Sequence, residues 1–275
     1  MVHVPTVISI AGSDSGGGAG VQADLKAFAR VGVHGMTAIT AITAQNTVGV
    51  EIVEPVSPRT IVAQVRLVAE DIGVDAVKIG MLGKVETVEA VVESLGYVGE
   101  APVVIDPVMI AESGAILLDD DARLTCREKL LPLATVVTPN IPEARVLTES
   151  GEDVSQEELA RAVVALGPKA AVVTGGHSEE VVDYFYDGAA VTPIRGPRHE
   201  GGASHGSGCT HSASLAAFLA LGHDLLSAAE RAREITAEAV KNGLREIGKG
   251  AGPVDVFNLA DSVGAAAAGA EEPAQ

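Results

Sequence analysis

Short apolar runs rich in valine and isoleucine alternate with longer amphipathic stretches along most of this chain. The runs predict strands over Thr6–Ala11, Met36–Thr43, Ala76–Ile79, Val103–Ile105, Thr135–Thr138 and Ala170–Thr174. Helical spacing of apolar residues predicts helices over Val21–Val31, Pro58–Asp71, Thr87–Ser94, Arg123–Leu131, Ser155–Leu166, Cys209–Leu221 and Leu225–Gly243. This alternation is typical of an α/β domain in which helices join parallel strands.

Two segments near residue 190 break the alternation. Val181–Tyr184 and Ala190–Ile194 flank an Asp-Gly pair, which predicts a hairpin at an antiparallel edge of the sheet. With 275 residues, 47% of them hydrophobic, the chain can bury one large core. We expect a single domain over residues 1–263 and a disordered tail over residues 264–275, which are mostly alanine, glycine and acidic residues.

The charge balance limits the partners. The chain has 19 basic and 37 acidic residues, a net charge of −18, and a field of this sign repels nucleic acid and anionic membranes. No secretory signal or membrane-length apolar run is present, and Cys126 and Cys209 lack zinc-type spacing. We therefore expect a soluble cytoplasmic protein with reduced thiols that binds neither nucleic acid nor membrane.

The segment Ser204–Thr210 is a glycine turn that delivers a thiol to the start of a small-residue helix. Free amides and the positive end of the helix dipole attract phosphate there, and the same field favours a thiolate. Gly206, Ser207, Gly208 and Cys209 are therefore candidates for an anion site with Cys209 as a base. The alternative is an ordinary glycine turn that holds a small buried cysteine.

In doubly wound sheets, ligands bind beyond the carboxyl ends of the strands. The first predicted strand is followed by residues 12–20, which contain five glycines and match neither a P-loop nor a dinucleotide fingerprint. Gln45 follows the second strand, where its amide could pair with a heteroaromatic ring or simply face solvent. The glycine loop, with Gly12 at its start, and Gln45 therefore predict a ligand site at this edge.

The later strands end in further candidates. Met81 and Val108 would place apolar walls near the carboxylate of Asp106. Asn140 and Glu143 follow the fifth strand, where they could hold hydrated Mg²⁺ or cap a helix. The sixth strand ends in Thr174-Gly175-Gly176-His177.

Taken in order, these motifs resemble one family. Ala-Gly-Ser-Asp, Thr-Ala-Gln-Asn-Thr, Lys-Ile-Gly-Met-Leu, Asp-Pro-Val-Met, Thr-Pro-Asn, Gly-Gly-His and His-Gly-Ser-Gly-Cys-Thr occur between about Ile8 and Asp255. The set is similar to that of the hydroxymethylpyrimidine/phosphomethylpyrimidine kinases of thiamine biosynthesis, in the ribokinase-like superfamily. The resemblance implies a three-layer α/β/α sandwich with a mostly parallel central sheet and an antiparallel edge hairpin.

The same resemblance implies an activity. The expected enzyme is a homodimer that uses ATP and Mg²⁺ to phosphorylate 4-amino-5-hydroxymethyl-2-methylpyrimidine and then its monophosphate. It implies Cys209 as catalytic base beside the anion hole of Gly206, Ser207 and Gly208. The remaining implied residues are, for the pyrimidine, Gly12, Asp24, Gln45, Met81 and Val108; for ATP, Asp106, Asn140, Glu143, Thr174 and Gly176; and for the metal, Asp106 and Glu143.

Three positions depart from the family pattern. Thr174 stands where the family usually has lysine, Ser207 where it has threonine, and His211 where it has an apolar residue. We expect His211 or Lys78 to compensate partly for the missing cation. Two other functions fit the same motifs: a pyridoxal kinase on the same fold, and a non-catalytic pyrimidine-binding sensor.

Overall fold

The central sheet has eight strands with helices on both faces. The computed structural model describes residues 3–110, 114, 117–176, 181–199 and 202–262. The strands, in chain order, are β1 (Thr6–Ala11), β2 (His34–Ile39), β3 (Ala41–Asn46), β4 (Gly49–Pro55), β5 (Ala76–Ile79), β6 (Val103–Ile105), β7 (Val136–Val137), β8 (Ala170–Val173), β9 (Val182–Tyr186) and β10 (Val191–Arg195). Their order across the sheet is β10-β9-β8-β7-β6-β5-β1-β2, and β3 pairs with β4 in a separate hairpin.

Helices cover both faces of this sheet. They are α1 (Gly20–Val31), α2 (Pro58–Asp71), α3 (Val85–Ser94), α4 (Asp120–Thr125), α5 (Ile141–Thr148), α6 (Gln156–Val164), α7 (Ser207–Ala220) and α8 (Leu225–Lys241). Strands β1, β2 and β5 to β8 run parallel, whereas β9 is antiparallel to β8 and β10 to β9. The predicted mostly parallel sheet with an antiparallel edge hairpin is confirmed.

Successive strand residues point to opposite faces, so the sheet separates two apolar cores. On one face, Ile8 and Ile79 pack with α2 to α6. On the other, Val7 and Ala76 pack with α1, α7 and α8. Lys78 alternates with Ile79 and therefore points toward the α1 and α7 side, where a charged residue needs a partner.

Most predicted elements are confirmed, four of them at both ends. These are the strands Thr6–Ala11, Ala76–Ile79 and Val103–Ile105 and the helix Pro58–Asp71. Buried valine and isoleucine mark the strands, and Ser57 caps the helix by accepting from the Thr60 amide.

The prediction of one strand over Met36–Thr43 is wrong. The chain leaves the main sheet at Thr40. The Thr40 amide donates to the carbonyl of Ala11, the last residue of β1, at 3.0 Å, and the Thr40 hydroxyl donates to the Met81 carbonyl at 2.8 Å. From Ala41 onward the chain pairs with β4, a strand that the sequence patterns did not predict because its last five residues are all exposed. The resulting hairpin carries Gln45 away from the main sheet.

Helix α5 was not among the predicted helices, and its start lies at the carboxyl end of β7. Its first turn is held by a capping box in which the Asn140 side chain accepts from the Glu143 amide and the Glu143 carboxylate accepts from the Asn140 amide, both at 2.9 Å. The predicted helix over Arg123–Leu131 begins earlier, as α4, and continues as a π-helical turn over Cys126–Leu130.

Cys126 lies in this π-helical turn and is a core residue, 2% exposed. Burial raises the pKa of its thiol to about 12, so this cysteine is an inert packing residue. None of the helices within the described ranges is long and apolar enough to cross a bilayer. The predicted tail, residues 264–275, and His177 lie outside the described residues.

Candidate active site

A cavity of about 530 Å³ opens at the carboxyl ends of the parallel strands. It runs from the glycine loop after β1 to the α8 helix and has the size of a small-molecule site. All but one of the site residues predicted from the sequence line it: Gly12, Gln45, Met81, Asp106, Val108, Asn140, Glu143, Thr174, Gly176, Gly206, Ser207, Gly208 and Cys209.

Asp24 is the exception, and the prediction that it contacts the substrate is not supported. Its side chain is fully buried on α1, beneath the cavity, where its carboxylate pairs with the Lys78 ammonium group at 3.0 Å and accepts from the Ser9 hydroxyl at 2.5 Å. Lys78 reaches the cavity floor, so Asp24 acts through Lys78.

Lys78 keeps its charge in this position. Burial alone would lower the pKa of its ammonium group, but Asp24, Cys209 and Asp106 together raise it above the ordinary value. The ion pair with Asp24 compensates the positive charge of Lys78, which β5 places in the protein interior. Lys78 is therefore a fixed positive charge below the site.

Asp14 and His205 form a second polar centre that the sequence motifs did not identify. The Asp14 carboxylate accepts from the amides of Gly16, Gly18 and Ala19 at 2.8–3.1 Å, and from the His205 ring at 3.0 Å. Burial opposes the carboxylate, yet the bond from His205 and the amide bonds lower its pKa below the ordinary value. The two residues are 191 positions apart, so no local pattern pointed to the pair.

The glycine loop after β1 and the turn before α7 are in direct backbone contact. Gly206 has a φ of 81°, and a Cβ at this position would lie 1.8 Å from the Gly18 carbonyl oxygen. Only glycine satisfies both the left-handed conformation and this close approach. The contact brings the glycine-loop side of the cavity next to the start of α7.

The start of α7 offers fewer free amides than the sequence predicted. The Ser207 amide donates to the Ser204 carbonyl at 2.9 Å, so this member of the predicted anion hole is already engaged. The amides of Gly208 and Cys209 lie in the first turn of α7 and have no hydrogen-bond partner among the described residues. These two amides, at the positive end of the helix, remain for an anion.

Cys209 is a thiol in the ligand-free protein, against the expectation that the helix field would favour a thiolate. Burial is the largest influence and raises its pKa to about 12; Asp106 and Asp24 act in the same direction, while Lys78 and the Gly20 amide oppose them. Loss of hydration and two negative charges therefore outweigh the helix terminus here.

Asp106 and Glu143 are two carboxyl groups on neighbouring walls. Burial and the proximity of Asp106 raise the pKa of Glu143 to about 8, and burial raises that of Asp106 as well. Ser212 on α7 donates to Asp106 at 3.0 Å, a partner that the sequence motifs missed. Two desolvated carboxyl groups that repel each other across a cavity are a donor set suited to a hard divalent cation.

Gln45 approaches the cavity from the β3–β4 hairpin. The backbone amide of Gln45 donates to the Ser15 hydroxyl at 2.8 Å, and that hydroxyl donates to the backbone carbonyl of Gln45 at 2.6 Å. The side-chain oxygen of Gln45 accepts a weak bond of 3.4 Å from Thr43. Gln45 lines the cavity, and its side-chain NH₂ has no hydrogen-bond partner among the described residues.

The α8 side of the cavity contains His211, Arg233 and Asp183. Arg233 Nε lies 3.4 Å from an Asp183 oxygen, and the other Asp183 oxygen accepts from the Gly175 amide, next to Thr174. Burial lowers the pKa of His211, with Arg233 adding to the effect and Asp183 opposing it. His211 is therefore uncharged at neutral pH and does not supply the cation missing at Thr174. Arg198 and Arg233 are the arginines that line the cavity.

Comparisons with known proteins agree with this geometry. The family model described as Phosphomethylpyrimidine kinase matches residues 14–255. A hydroxymethylpyrimidine/phosphomethylpyrimidine kinase of Rhizobium meliloti is 47% identical over 257 residues, covering 91% of this chain and 96% of the relative. Among solved structures, a Bacillus subtilis pyridoxal kinase in complex with ADP has a TM-score of 0.85 at 37% identity over 94% of this chain and 99% of that one. A phosphomethylpyrimidine kinase of Clostridium difficile has a TM-score of 0.77 at 38% identity, over 87% and 100% of the two chains.

The Asp14 centre leads to a stability prediction. A carboxyl whose pKa is lower in the folded than in the unfolded state contributes its full stability above the unfolded value of 3.8 and loses it as the pH falls further. Asp14→Asn should reduce the free energy of unfolding at neutral pH by about 2 kcal/mol, because charged hydrogen bonds are lost. As the pH falls into the acid range, Asp14→Asn should also lose less stability than the wild type.

Denaturant unfolding of the wild type and Asp14→Asn at several pH values down to about pH 3 measures both effects. Asp187→Asn is the matched control, since the Asp187 carboxylate also accepts two backbone amides but lies in an exposed turn. Equal acid slopes in the wild type and Asp14→Asn would contradict the assignment.

Proposed function

We propose, from the premise that this chain belongs to the phosphomethylpyrimidine kinase family, that it is an ATP-dependent kinase of 4-amino-5-hydroxymethyl-2-methylpyrimidine and of its monophosphate. The observation that carries the proposal is the cavity itself. It joins a ring-sized compartment, two unengaged amides at a helix N-terminus and two carboxyl groups within one volume. Phosphoryl transfer needs these parts together: a held acceptor, donors for the transferred group and a site for a metal.

The acceptor compartment suits a small polar ring. Gly12, Met81 and Val108 give it a narrow, mostly apolar surface, and Gln45 gives it an amide at the rim. A flat heteroaromatic ring fills such a space by apolar contact and is oriented by the amide, which offers both a donor and an acceptor. In our proposal these four residues bind the pyrimidine, and Asp24 supports them through Lys78.

The transferred phosphoryl group belongs at the start of α7. The amides of Gly208 and Cys209, with that of Gly206 and the Ser207 hydroxyl beside them, converge on the cavity, and Lys78 adds a fixed positive charge below. Donors that are already in place stabilise charge that develops during the transfer without reorganising. We propose that the nucleotide phosphates continue from there along Asn140, Thr174 and Gly176 toward α8.

Asp106 and Glu143 are the residues that would hold Mg²⁺. Bound there, the cation would neutralise negative charge in the site, including the Asp106 charge that opposes a thiolate at Cys209. Hydrogen bonds already fix both carboxyl groups in the ligand-free protein. Ser212 donates to Asp106, and the Asn140 amide donates to Glu143.

Cys209 is the proposed acceptor of the hydroxyl proton. Cys209 lines the cavity; burial raises the pKa of its thiol, and Lys78 opposes that rise. With a pKa of about 12 in the ligand-free protein, the thiol ionises only when the surrounding charges change as the site fills. The proton transfer is thereby tied to the presence of both substrates.

A homodimer is part of the proposal. The outer face of the β3–β4 hairpin exposes Ile42 and Ile52, each more than half exposed, around Ala44. An unpaired apolar face of this kind on a two-stranded sheet suits burial against a second copy. The cytoplasmic location expected from the sequence stays a prediction.

The activity test is a coupled ADP-release assay with Mg-ATP that resolves pyrimidine mono- and diphosphate and includes pyridoxal as a parallel substrate. Cys209→Ala should lower kcat by about a hundredfold or more, because general-base catalysis contributes factors of this size. Cys126, the other cysteine, is buried in the core outside the cavity, so Cys126→Ala should retain wild-type turnover. Turnover of pyridoxal alone would contradict the pyrimidine assignment.

Magnesium binding should depend on pH through Glu143. With a pKa of about 8, this carboxyl is largely protonated at neutral pH and must lose the proton to bind a cation. Mg²⁺ affinity should therefore rise with pH, by up to about tenfold per unit, until Glu143 is ionised.

The Mg²⁺-induced shift in Tm, measured between about pH 6.5 and about pH 8.5, reads out this affinity apart from activity. Glu143→Gln should abolish the pH dependence. Glu158→Gln changes the equivalent capping-box glutamate of α6, which is fully exposed, and should keep it. A pH-independent shift in the wild type would show that Glu143 is not a ligand.

The dimer is tested by light scattering on a size-exclusion column. Ile52→Asp should convert a dimer to a monomer, since a buried unpaired carboxylate at an interface is costly. Leu67→Asp, at an equally exposed leucine on α2, should leave the dimer intact. A monomeric wild type at micromolar concentration would refute this part of the proposal.

A further inference from the structure

The turn that joins β3 to β4 is fastened to a segment more than two hundred positions away. The Thr47 hydroxyl oxygen accepts from the amide of Lys249 at 3.1 Å and from that of Gly250 at 3.2 Å. One side chain thereby links the acceptor-side hairpin to the turn that follows α8.

The backbones at this contact are tightly packed. A Cβ at Gly250 would lie 1.8 Å from the Thr47 carbonyl oxygen, and a Cβ at Gly248 would lie 2.2 Å from the Thr47 hydroxyl oxygen. Side-chain carbons do not approach other atoms this closely, so both positions require glycine. The contact between Thr47 and residues 248–250 is therefore closely packed, and more than a single surface hydrogen bond.

The tip of the hairpin needs such a fastening, because the bonds to Ser13 hold only its base. The last five residues of β4 are all exposed, and the two-stranded sheet makes no ladder bonds with the central sheet among the described residues. A two-stranded hairpin is marginally stable when it stands alone. Its position over the cavity thus depends on a few fixed points, of which Thr47 is the one at its tip.

Bonds between Ser13 and both Ala41 and Thr43 fix the base of the hairpin, and the fixed points nearer its tip lie on one path. On the hairpin side, Ser15 bonds to the Gln45 backbone, and the adjacent Asp14 bonds to His205. On the far side, the His205 carbonyl accepts from the Val254 amide at 3.1 Å, four residues after the contact with Thr47. Hydrogen bonds and short lengths of chain thereby form a closed ring around the acceptor end of the cavity.

We propose that Thr47 is a positioning residue for the acceptor substrate: it closes this ring and so holds Gln45 in place over the cavity. The inference rests on the proposed function for the identity of the acceptor, whereas the ring itself is a property of the ligand-free protein. Thr47 does not line the cavity, so its effect on the acceptor is carried by Gln45, two residues earlier in the same hairpin.

The first test uses two substitutions at Thr47. Thr47→Val keeps the shape of the side chain and removes the oxygen, whereas Thr47→Ser keeps the oxygen. Thr47→Val should raise KM for the pyrimidine about tenfold with kcat within about twofold and KM for ATP unchanged, because binding alone is affected. Thr47→Ser should restore the wild-type value, and Thr125→Val, at a half-buried threonine on α4 that lies outside the cavity, should show no effect.

A second variant approaches the contact from the other side. Gly250→Ala should reproduce the rise in KM, since its Cβ would displace the Thr47 carbonyl, while Gly96→Ala, where a Cβ meets no atom within 4 Å, should not. In a double-mutant cycle, Thr47→Val should add nothing to Gln45→Ala if it acts through Gln45. Additive effects, or equal changes in both KM values, would overturn the proposal.

Hydrogen exchange on the ligand-free protein tests the ring without reference to any substrate. Thr47→Val should speed exchange in residues 41–55 and 248–252 by about tenfold and leave the central sheet unchanged. Unchanged exchange in residues 41–55 would refute the ring even in an active kinase. Conversely, faster exchange in a protein that does not phosphorylate the pyrimidine would keep the ring and reject the proposed function.

Discussion

The ammonium group of Lys78 determines which charges the cavity floor can hold. It is fully buried between β5 and α1, paired with Asp24 at 3.0 Å, and it acts on both Asp106 and Cys209. Removing one partner of a buried ion pair leaves an uncompensated charge that costs about 3–5 kcal/mol. Lys78 therefore does two things at once: it makes Asp24 tolerable inside the fold, and it provides the fixed positive potential above which anionic groups can gather.

The second constraint is the contact between two distant glycine segments. Asp14 gathers three loop amides and the His205 ring, and the left-handed Gly206 lets the α7 turn approach Gly18. Loops rich in glycine lose much entropy on ordering, so a buried carboxylate that binds several amides is needed to fix one conformation. The glycine loop after β1 and the start of α7 are thus one rigid unit, and their relative position is fixed before any ligand binds.

Local patterns in the sequence predicted the parallel sheet, because buried strands are marked by runs of valine and isoleucine. They failed at Thr40, where bonds to Ala11 and Met81 turn an unbroken apolar run out of the sheet. Nearly all the residues predicted from strand-end motifs line the cavity, since the fold brings strand ends together. They did not separate Asp24 from the lining, because its partner is 54 positions away on β5. Asp14 and His205 were missed for the same reason: their roles exist only across the tertiary contact.

The state of Cys209 shows why a motif cannot fix a mechanism. A helix terminus favours a thiolate by an amount that is small beside the desolvation of a buried sulfur, and two nearby carboxylates add to the penalty. A permanently ionised thiolate would repel the very phosphates that the α7 amides attract. A neutral thiol avoids that conflict in the empty site, and the charges that change when metal and nucleotide enter are those that set its pKa. Base strength at Cys209 is consequently a property of the filled cavity, in which Lys78 and Asp106 act in opposite directions on one sulfur atom.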